Sequence, residues 1–389
     1  MGMGMALATA PGAAGFDITS NTGKLDLSEE LGEIIRTDNT SLISKVGIGH
    51  FSATQLTHRW NEDSLNPNTA TLNEPLDATE TAVDVNTGHG SRFKIGTLFK
   101  NNEQGKTEVF RVTAIATDTL TVERGHGSTT GETHTNASTL IIISHTKQEG
   151  WSPSQEDWTN ERTAVSNFLS TTGYGIAITR RRQAIDHAGI PSEFAHQAAY
   201  RLKEYMRALD SAIINSVKSA TEGSDTDYSS MGGLIEFVSA STGNITNTDQ
   251  DITPAIVNAA VKQIWDKGGM VAGGRLMLIA GGKQKRNISA FDQAYRRLDF
   301  DSRSVGFVVE RFLSDLGFEV EIVVDPWMPD DTLILGDVNR LKIGPLSGDG
   351  VALEDLAKTR RLIEAMVTGS YTCEIRNALD AWAIISNLK

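Results

Sequence analysis

Hydrophobic and polar positions follow three different periods along the chain. The longest coherent pattern is PSEFAHQAAYRLKEYMRALDSAIINSVKSA, residues 191–220, where Phe194, Ala198, Leu202, Met206, Leu209, Ile213 and Val217 recur three or four apart. That period predicts one helix with a single apolar stripe. Pro191 suits its first turn, and Glu193 sits near the positive end of its dipole. At 1.5 Å per residue such a helix is a rod of about 45 Å, long enough to act as a spine.

Between Asn68 and Lys147 the period shortens to two. The segments TAVDV, RFKIGTLF, EVFRVTAI, DTLTVER and STLIIIS read as short strands, separated by the turn-like NTGHGS, NNEQGK, ATD and GHGSTTGETH. This region has 17 threonines and no Trp, Tyr, Met or Cys. Thr-, Val- and Ile-rich strands with Gly/Asn turns predict a small, mostly antiparallel barrel or sandwich. The sequence changes character at both ends, which marks the region as an insertion.

From Met231 to about Leu346 the two periods alternate. TPAIVNAAVKQIWDKG and KQKRNISAFDQAYRRL read as helices, RLMLIAG and TLILGD as strands, and FVVERFLSDLGFEVEIVVD as a hairpin, making an α+β unit. The last 40 residues, including TRRLIEAMVTGSYTCEIRNALDAWAIISNL, read as strands closing a sheet that packs on the long helix. Near the start, ATQLTHRWNEDSL alternates like a strand. Residues 1 to about 40 read as an extended arm with one short helical piece at LDLSEELGEIIR.

Composition narrows the function. The 36 Lys+Arg against 49 Asp+Glu give a net charge of -13, the wrong sign for a chain whose main task is to grip nucleic acid or a membrane surface. The single Cys373 allows no intrachain disulfide, and with no histidine downstream and His196 the nearest upstream it reads as a small core residue. The N-terminus lacks the basic region and apolar core of a signal peptide, and no apolar run approaches the roughly 20 residues of a membrane span. These features predict a soluble intracellular product.

The candidate chemistry fails on spacing. Gly105-Lys106-Thr107 resembles the end of a phosphate-binding loop, but Lys100 stands where the first glycine belongs and a strand follows instead of a helix. GHGSTTGETH, residues 125–134, offers His126, Glu132 and His134, but no recognisable metal-ligand spacing. It reads better as an exposed turn whose glycines supply positive φ. Asp330/Asp331 and Asp299/Asp301 have no histidine or nucleophile tied to them and read as solvated turns. The arginines at 180–182, 296, 297, 360 and 361 fit carboxylates of a neighbouring subunit better than nucleic acid in so acidic a chain. No catalytic, cofactor-binding or metal residue is assigned, and no cofactor is expected.

With its chemistry accounted for, the chain resembles the tailed-bacteriophage major capsid proteins, which have the Johnson fold, and within them the branch with a β-domain inserted in the extended loop. LDLSEELGEIIRTDNTSLISKVGIGHFSATQLTHRWNEDSL resembles that branch's arm and first loop strand: Trp60, Asp63 and Leu65 fit, while Ser41 replaces a proline. FKIGTLF through STLIIIS resembles the inserted domain, including a Gly-x-Thr-Thr before a histidine, and SYTCEIRNALDAWAIISNL resembles the family's last strands.

The resemblance implies an α+β fold in four parts. These are an N-terminal arm (1–55), an extended loop (56–160) with the inserted β-domain at about 68–147, a peripheral domain (161–230 and 347–389) with spine helix 191–220, and an axial domain (231–346). It implies no enzyme but a shell subunit. Homo-hexamers and homo-pentamers would enclose double-stranded DNA in the virion, after assembly in the host cytoplasm with a separate scaffold, a portal and sometimes decoration proteins. An encapsulin-like or tail shell component, or an enzyme with an appended β-domain, are the alternatives.

Overall fold

The computed structural model describes residues 40–151, 162–185, 192–219, 228–239, 245–247, 249–270, 275–291, 310–357 and 360–389. The helical piece expected in the arm, Pro191, Arg296, Arg297, Asp299 and Asp301 lie outside them. The chain divides into two compact units, Asn61–Ala164 and the remainder on either side of it.

The main unit opens with the short helix α1 (Ser41–Val46) and strand β1 (Thr57–Glu62). Six strands then build the second unit: β2 (Thr69–Thr71), β3 (Ala82–Asp84), β4 (Thr97–Asn101), β5 (Val109–Ala116), β6 (Thr119–Glu123) and β7 (Thr139–His145). They pair antiparallel in the order β2-β7-β4-β5-β6-β3. The two outer strands meet beyond their ends, where Asn73 N donates to Asp84 O (2.8 Å) and Asn86 N to Thr71 O (2.9 Å). The sheet therefore closes into a small barrel and leaves no open edge. Alternation fills it: Phe93, Phe99, Phe110, Leu120 and Leu140 are buried in one core, with Phe99 and Phe110 stacked at 4.8 Å.

Two details differ from the sequence expectation. RFKIGTLF is a strand only from Thr97, because Gly96 turns the chain at φ +89° with the Thr146 carbonyl packed where a Cβ would lie. β2 went unseen because three residues show no period.

The main unit resumes with β8 (Thr163–Phe168), which pairs with β1, and β9 (Ser170–Thr179). Helices α2 (Arg180–Gln183), α3 (Glu193–Asn215) and α4 (Leu234–Ser239), strand β10 (Ile245–Asn247), α5 (Pro254–Asp266), β11 (Leu276–Ala280) and α6 (Gly282–Ser289) follow. The remaining strands are β12 (Arg311–Leu313), β13 (Glu319–Val324), β14 (Leu333–Asp337), β15 (Leu341–Pro345), β16 (Ala352–Asp355), β17 (Leu362–Ile375) and β18 (Trp382–Ser386).

A six-stranded mixed sheet runs β10-β18-β14-β11-β13-β12. Its central strands are buried on both faces. Met277 and Ile279 of β11 enter the core under α3, while Leu276, Leu278 and Ala280 enter a second core under α5 and α6. This explains the unbroken apolar run LMLIA. The other sheet is organised by β17, which pairs with β9 from Leu362↔Thr179 to Tyr371↔Ser170 and with β15 and β16 along its other side.

The last strand departs from the expected single closing sheet. β18 leaves β17 and joins β14 and β10. Trp382 and Ile384 fill one core, and Ala383 and Ile385 the other, so the segment belongs where both faces are covered.

The spine helix α3 has 23 residues, shorter than the 191–220 expected. Ser192 caps it, accepting from Ala195 N, and Ser216 ends it in extended backbone, which leaves Val217 outside. Tyr205, Leu209, Ile213 and Ile214 are its buried face, and Phe194, Ala198 and Met206 pack partly against the same core. Leu202, expected on the stripe, is 46% exposed. The helix of KQKRNISAFDQAYRRL ends at Ser289. Among the described residues no helix is long and apolar enough to cross a membrane.

Candidate assembly surface

Most side chains that suggested chemistry belong to the framework. Gly105 turns the chain between β4 and β5 at φ +79°, and Lys106 Nζ reaches Thr133 Oγ1 (3.4 Å) and Glu132 (3.9 Å) in the same unit. Cys373 on β17 is fully buried and donates to Gly232 O; burial pushes its thiol up to about 12. Such a thiol stays protonated and is no nucleophile. Asp331 accepts from the Thr332 hydroxyl, and its carbonyl accepts from Leu388 N, while Asp330 is exposed.

The stretch from Gly125 to His134 corrects the sequence reading. It joins β6 to β7, which are not neighbours in the sheet, so it is a crossover and not a simple turn. Gly125 and Gly127 do adopt positive φ, 60° and 76°. His134, however, is buried, with Nε2 3.1 Å from Glu108 Oε2.

Glu108 is the hub. Its carboxylate accepts from Arg124 Nε (2.7 Å) and Nη2 (2.8 Å), from Gly125 N (3.0 Å) and from Glu132 N (2.8 Å). Arg124 also donates to the carbonyls of Glu80 (2.7 Å) and Glu132 (2.6 Å) and lies over the Phe110 ring. Burial alone would raise the Glu108 carboxyl, but Arg124, Glu132 N–H and His134 outweigh it and hold it below the usual range. His126 faces Glu123 instead, at 3.8 Å, so the two histidines take different carboxylates. Among the described residues no three or more His, Cys, Asp and Glu side chains are grouped to hold a metal ion.

The sequence carried a signal for this hub that composition hid. Glu108 is in phase with the inward Phe110 and Val112, and Arg124 with Leu120 and Val122. A charge on the buried phase of a strand asks for a partner on the same phase.

The arginines behave differently. The β9–β17 ladder ends at Leu362↔Thr179, so Arg361 and Arg180 follow directly beyond it, with Arg360, Arg181 and Arg182 beside them. All five are exposed. Arg182 lies 3.4 Å from Glu193, but Arg180, Arg181, Arg360 and Arg361 have no ion-pair partner among the described residues. Exposed Leu356, whose N–H donates to Glu364 O, lies near this end of the sheet. Guanidinium groups beside exposed aliphatic side chains are the composition of a protein–protein contact.

The model of the SU10 major capsid protein family matches residues 12–389. The chain belongs to that family. No curated protein matches its sequence. Among solved structures, the capsid asymmetric unit of cyanophage A-1(L) is similar over 96% of this chain and 99% of that one, at 10% identity and a TM-score of 0.55. A capsid chain of an empty GTA particle is similar over 100% of both chains, at 11% identity and a TM-score of 0.49. An encapsulin from Synechococcus elongatus is similar over 61% of this chain and 79% of that one, at 14% identity and a TM-score of 0.42.

The cyanophage likeness establishes the fold of the family, that of tailed-phage major capsid proteins. As a member of the SU10 major capsid protein family the chain is a structural protein of the virion, and its main partner is itself, in a shell of repeated subunits.

Proposed function

We propose that this major capsid protein assembles as hexamers and pentamers into the icosahedral head of a tailed bacteriophage, around double-stranded DNA. The family match along nearly the whole chain carries this reading. The four-part map of arm, extended loop, peripheral domain and axial domain applies with the barrel as the insertion in the extended loop, where it adds contact area between subunits. The chain performs no catalysis of its own. Assembly takes place in the host cytoplasm with a scaffold, a portal and, where present, decoration proteins. Its acidity suits a container, since a net charge of -13 keeps the wall from adhering to its cargo.

Within this reading the arginine cluster at the end of the β9–β17 ladder meets carboxylates of an adjacent copy. Charge reversal there sets like charges against each other in the shell and costs nothing within the subunit. The combined substitutions Arg180→Glu, Arg181→Glu, Arg360→Glu and Arg361→Glu are expected to lower the sedimenting, assembled fraction at least about tenfold, a change of about 1.4 kcal/mol. The circular dichroism and melting temperature of the free subunit should not move. A variant that assembles like the parent removes the cluster from the interface, and one that assembles normally but packages less DNA assigns it to nucleic acid instead.

A further inference from the structure

Strand β2 lies at the end of the barrel sheet, and its two sides meet different partners. Leu72 N donates to Ser138 O (3.0 Å) and Ile142 N to Asn68 O (2.8 Å), so this set of alternate residues turns its backbone groups toward β7. Thr69 and Thr71 turn theirs the other way, as the intervening residues of an antiparallel strand must. The chain after β3, residues 86–92, takes that side. Arg92 Nη1 donates to Thr69 O (2.7 Å), Thr71 N donates to His89 Nδ1 (3.0 Å), and Asn86 N donates to Thr71 O (2.9 Å). A loop thus stands where a strand would, and an imidazole supplies the acceptor that a strand's carbonyl would supply.

The loop is placed without help from β2. Asp118, in the turn between β5 and β6, accepts from Gly88 N and Gly90 N, both at 2.9 Å, on either side of His89. His89 N itself donates to Asn86 O (2.9 Å). The ring is half-buried against the outer edge of β2.

The bond from Thr71 fixes the state of that ring. A backbone N–H can only donate, so Nδ1 carries a lone pair and the imidazole is neutral, with its proton on Nε2. An imidazolium has a proton on each nitrogen and would set N–H against N–H. Two charged groups among the described residues act on the ring: Arg92 of the same loop, which opposes a charge there, and Asp118, which favours one. Residues 69–71 of β2 and 139–141 of β7 carry no charged side chain, and Asp84 of β3 faces Glu74.

We propose that His89 is a clasp on the seam of the barrel that acid releases: with a proton on Nδ1 the imidazole no longer accepts from Thr71, and the edge of β2 comes free of the 86–92 loop. Burial first, then Arg92, lower the imidazole below the ordinary value of 6.5, with Asp118 pulling the other way. In the open seam the ring is solvated and titrates at about 6.5. Below that pH the open form holds a proton that the closed form lacks. Closure is therefore at full strength above about pH 6.5, weakens by up to about tenfold per unit as the pH falls, and levels once the closed form also takes the proton. The clasp lies within one subunit, so it stands or falls apart from the shell.

Hydrogen–deuterium exchange of residues 69–72 in the full-length free subunit, corrected for the intrinsic rate, reads the seam directly. The opening equilibrium should be flat from pH 8 to pH 7 and then rise several-fold, to at most about tenfold, by pH 5.5. His89→Gln keeps an acceptor that takes no proton, so its profile should be flat. His89→Phe removes the acceptor and should be more open at every pH, again without slope. It serves if the glutamine variant folds poorly. His126→Gln, on the crossover after β6, should keep the response of the parent. Nitrogen-15 spectra of the labelled histidine rings should show Nδ1 of His89 without a proton at pH 7.5. A flat profile in the parent, a slope that survives in either His89 variant, or a proton on Nδ1 at pH 7.5 overturns the clasp.

Discussion

Arg124→Met is expected to cost the Asn61–Ala164 unit about 3–5 kcal/mol, the penalty for stranding a buried carboxylate. The Glu108 side chain has no solvent exposure, and among the described residues Arg124 supplies its only permanent cation as well as two of its hydrogen bonds. The loss spreads, because the same guanidinium ties the carbonyl of Glu80, in the connection between β2 and β3, to that of Glu132, within the crossover from β6 to β7. A domain of this size has about 5–15 kcal/mol in all, so its melting should fall on the order of 20 °C. Tryptophan fluorescence is poorly placed to see this, since residues 68–147 contain no Trp or Tyr. Amide exchange or limited proteolysis within 68–147 is the proper readout, and protection of β11 and β14 should be unchanged. Adding Glu108→Gln should restore part of the loss by removing the stranded charge. Unchanged barrel protection in Arg124→Met would show that the hub does not hold the crossover; loss of β11 and β14 protection as well would show that the barrel is not separable.

The second large effect falls on the spine helix. Leu209→Asp places a carboxylate in the core shared by α3, β9 and β17, one residue from buried Asp210, with no cation among the described core residues to pair it. An unpaired charge there should cost about 5 kcal/mol, enough to abolish soluble subunit or shell. Leu202→Asp is the control. Both leucines lie on the apolar stripe of the sequence, yet Leu202 is 46% exposed and Leu209 5%. The exposed change should alter subunit melting by no more than about 0.5 kcal/mol. Equal damage from the two would mean that the buried face of α3 is set wrongly.

These two sites show what could be read from the sequence and what could not. The helix was legible because its stripe is long, but a stripe gives no tertiary boundary. Leu202 matches the period, and only packing decides that the core ends before it, while Tyr205, off the stripe, is buried with its hydroxyl donating to Gly369 O at 3.0 Å. Strands β11 and β14 were legible as apolar runs, and burial on both faces explains why. The destination of β18 was not, since AWAII carries no mark of its partner strand. The charged hub was missed because Glu108 and Arg124 are 16 residues apart and read singly as surface charges; only the barrel joins them. Asp210 was hidden for the same reason: the N–H it accepts from, that of Ile43, is 167 residues away. The histidines of residues 125–134 attracted attention by residue type, and one of the two proved to matter for the fold.

Electron microscopy of particles from cells making this chain, with the shell protein identified by mass spectrometry, tests the central claim most directly. The account predicts closed shells with five-fold vertices and six-fold capsomers between them, in which this chain is the most abundant protein. A chain recovered only as a monomer or small fixed oligomer, or in a filament or tail tube while the shell is built of another protein, would contradict it.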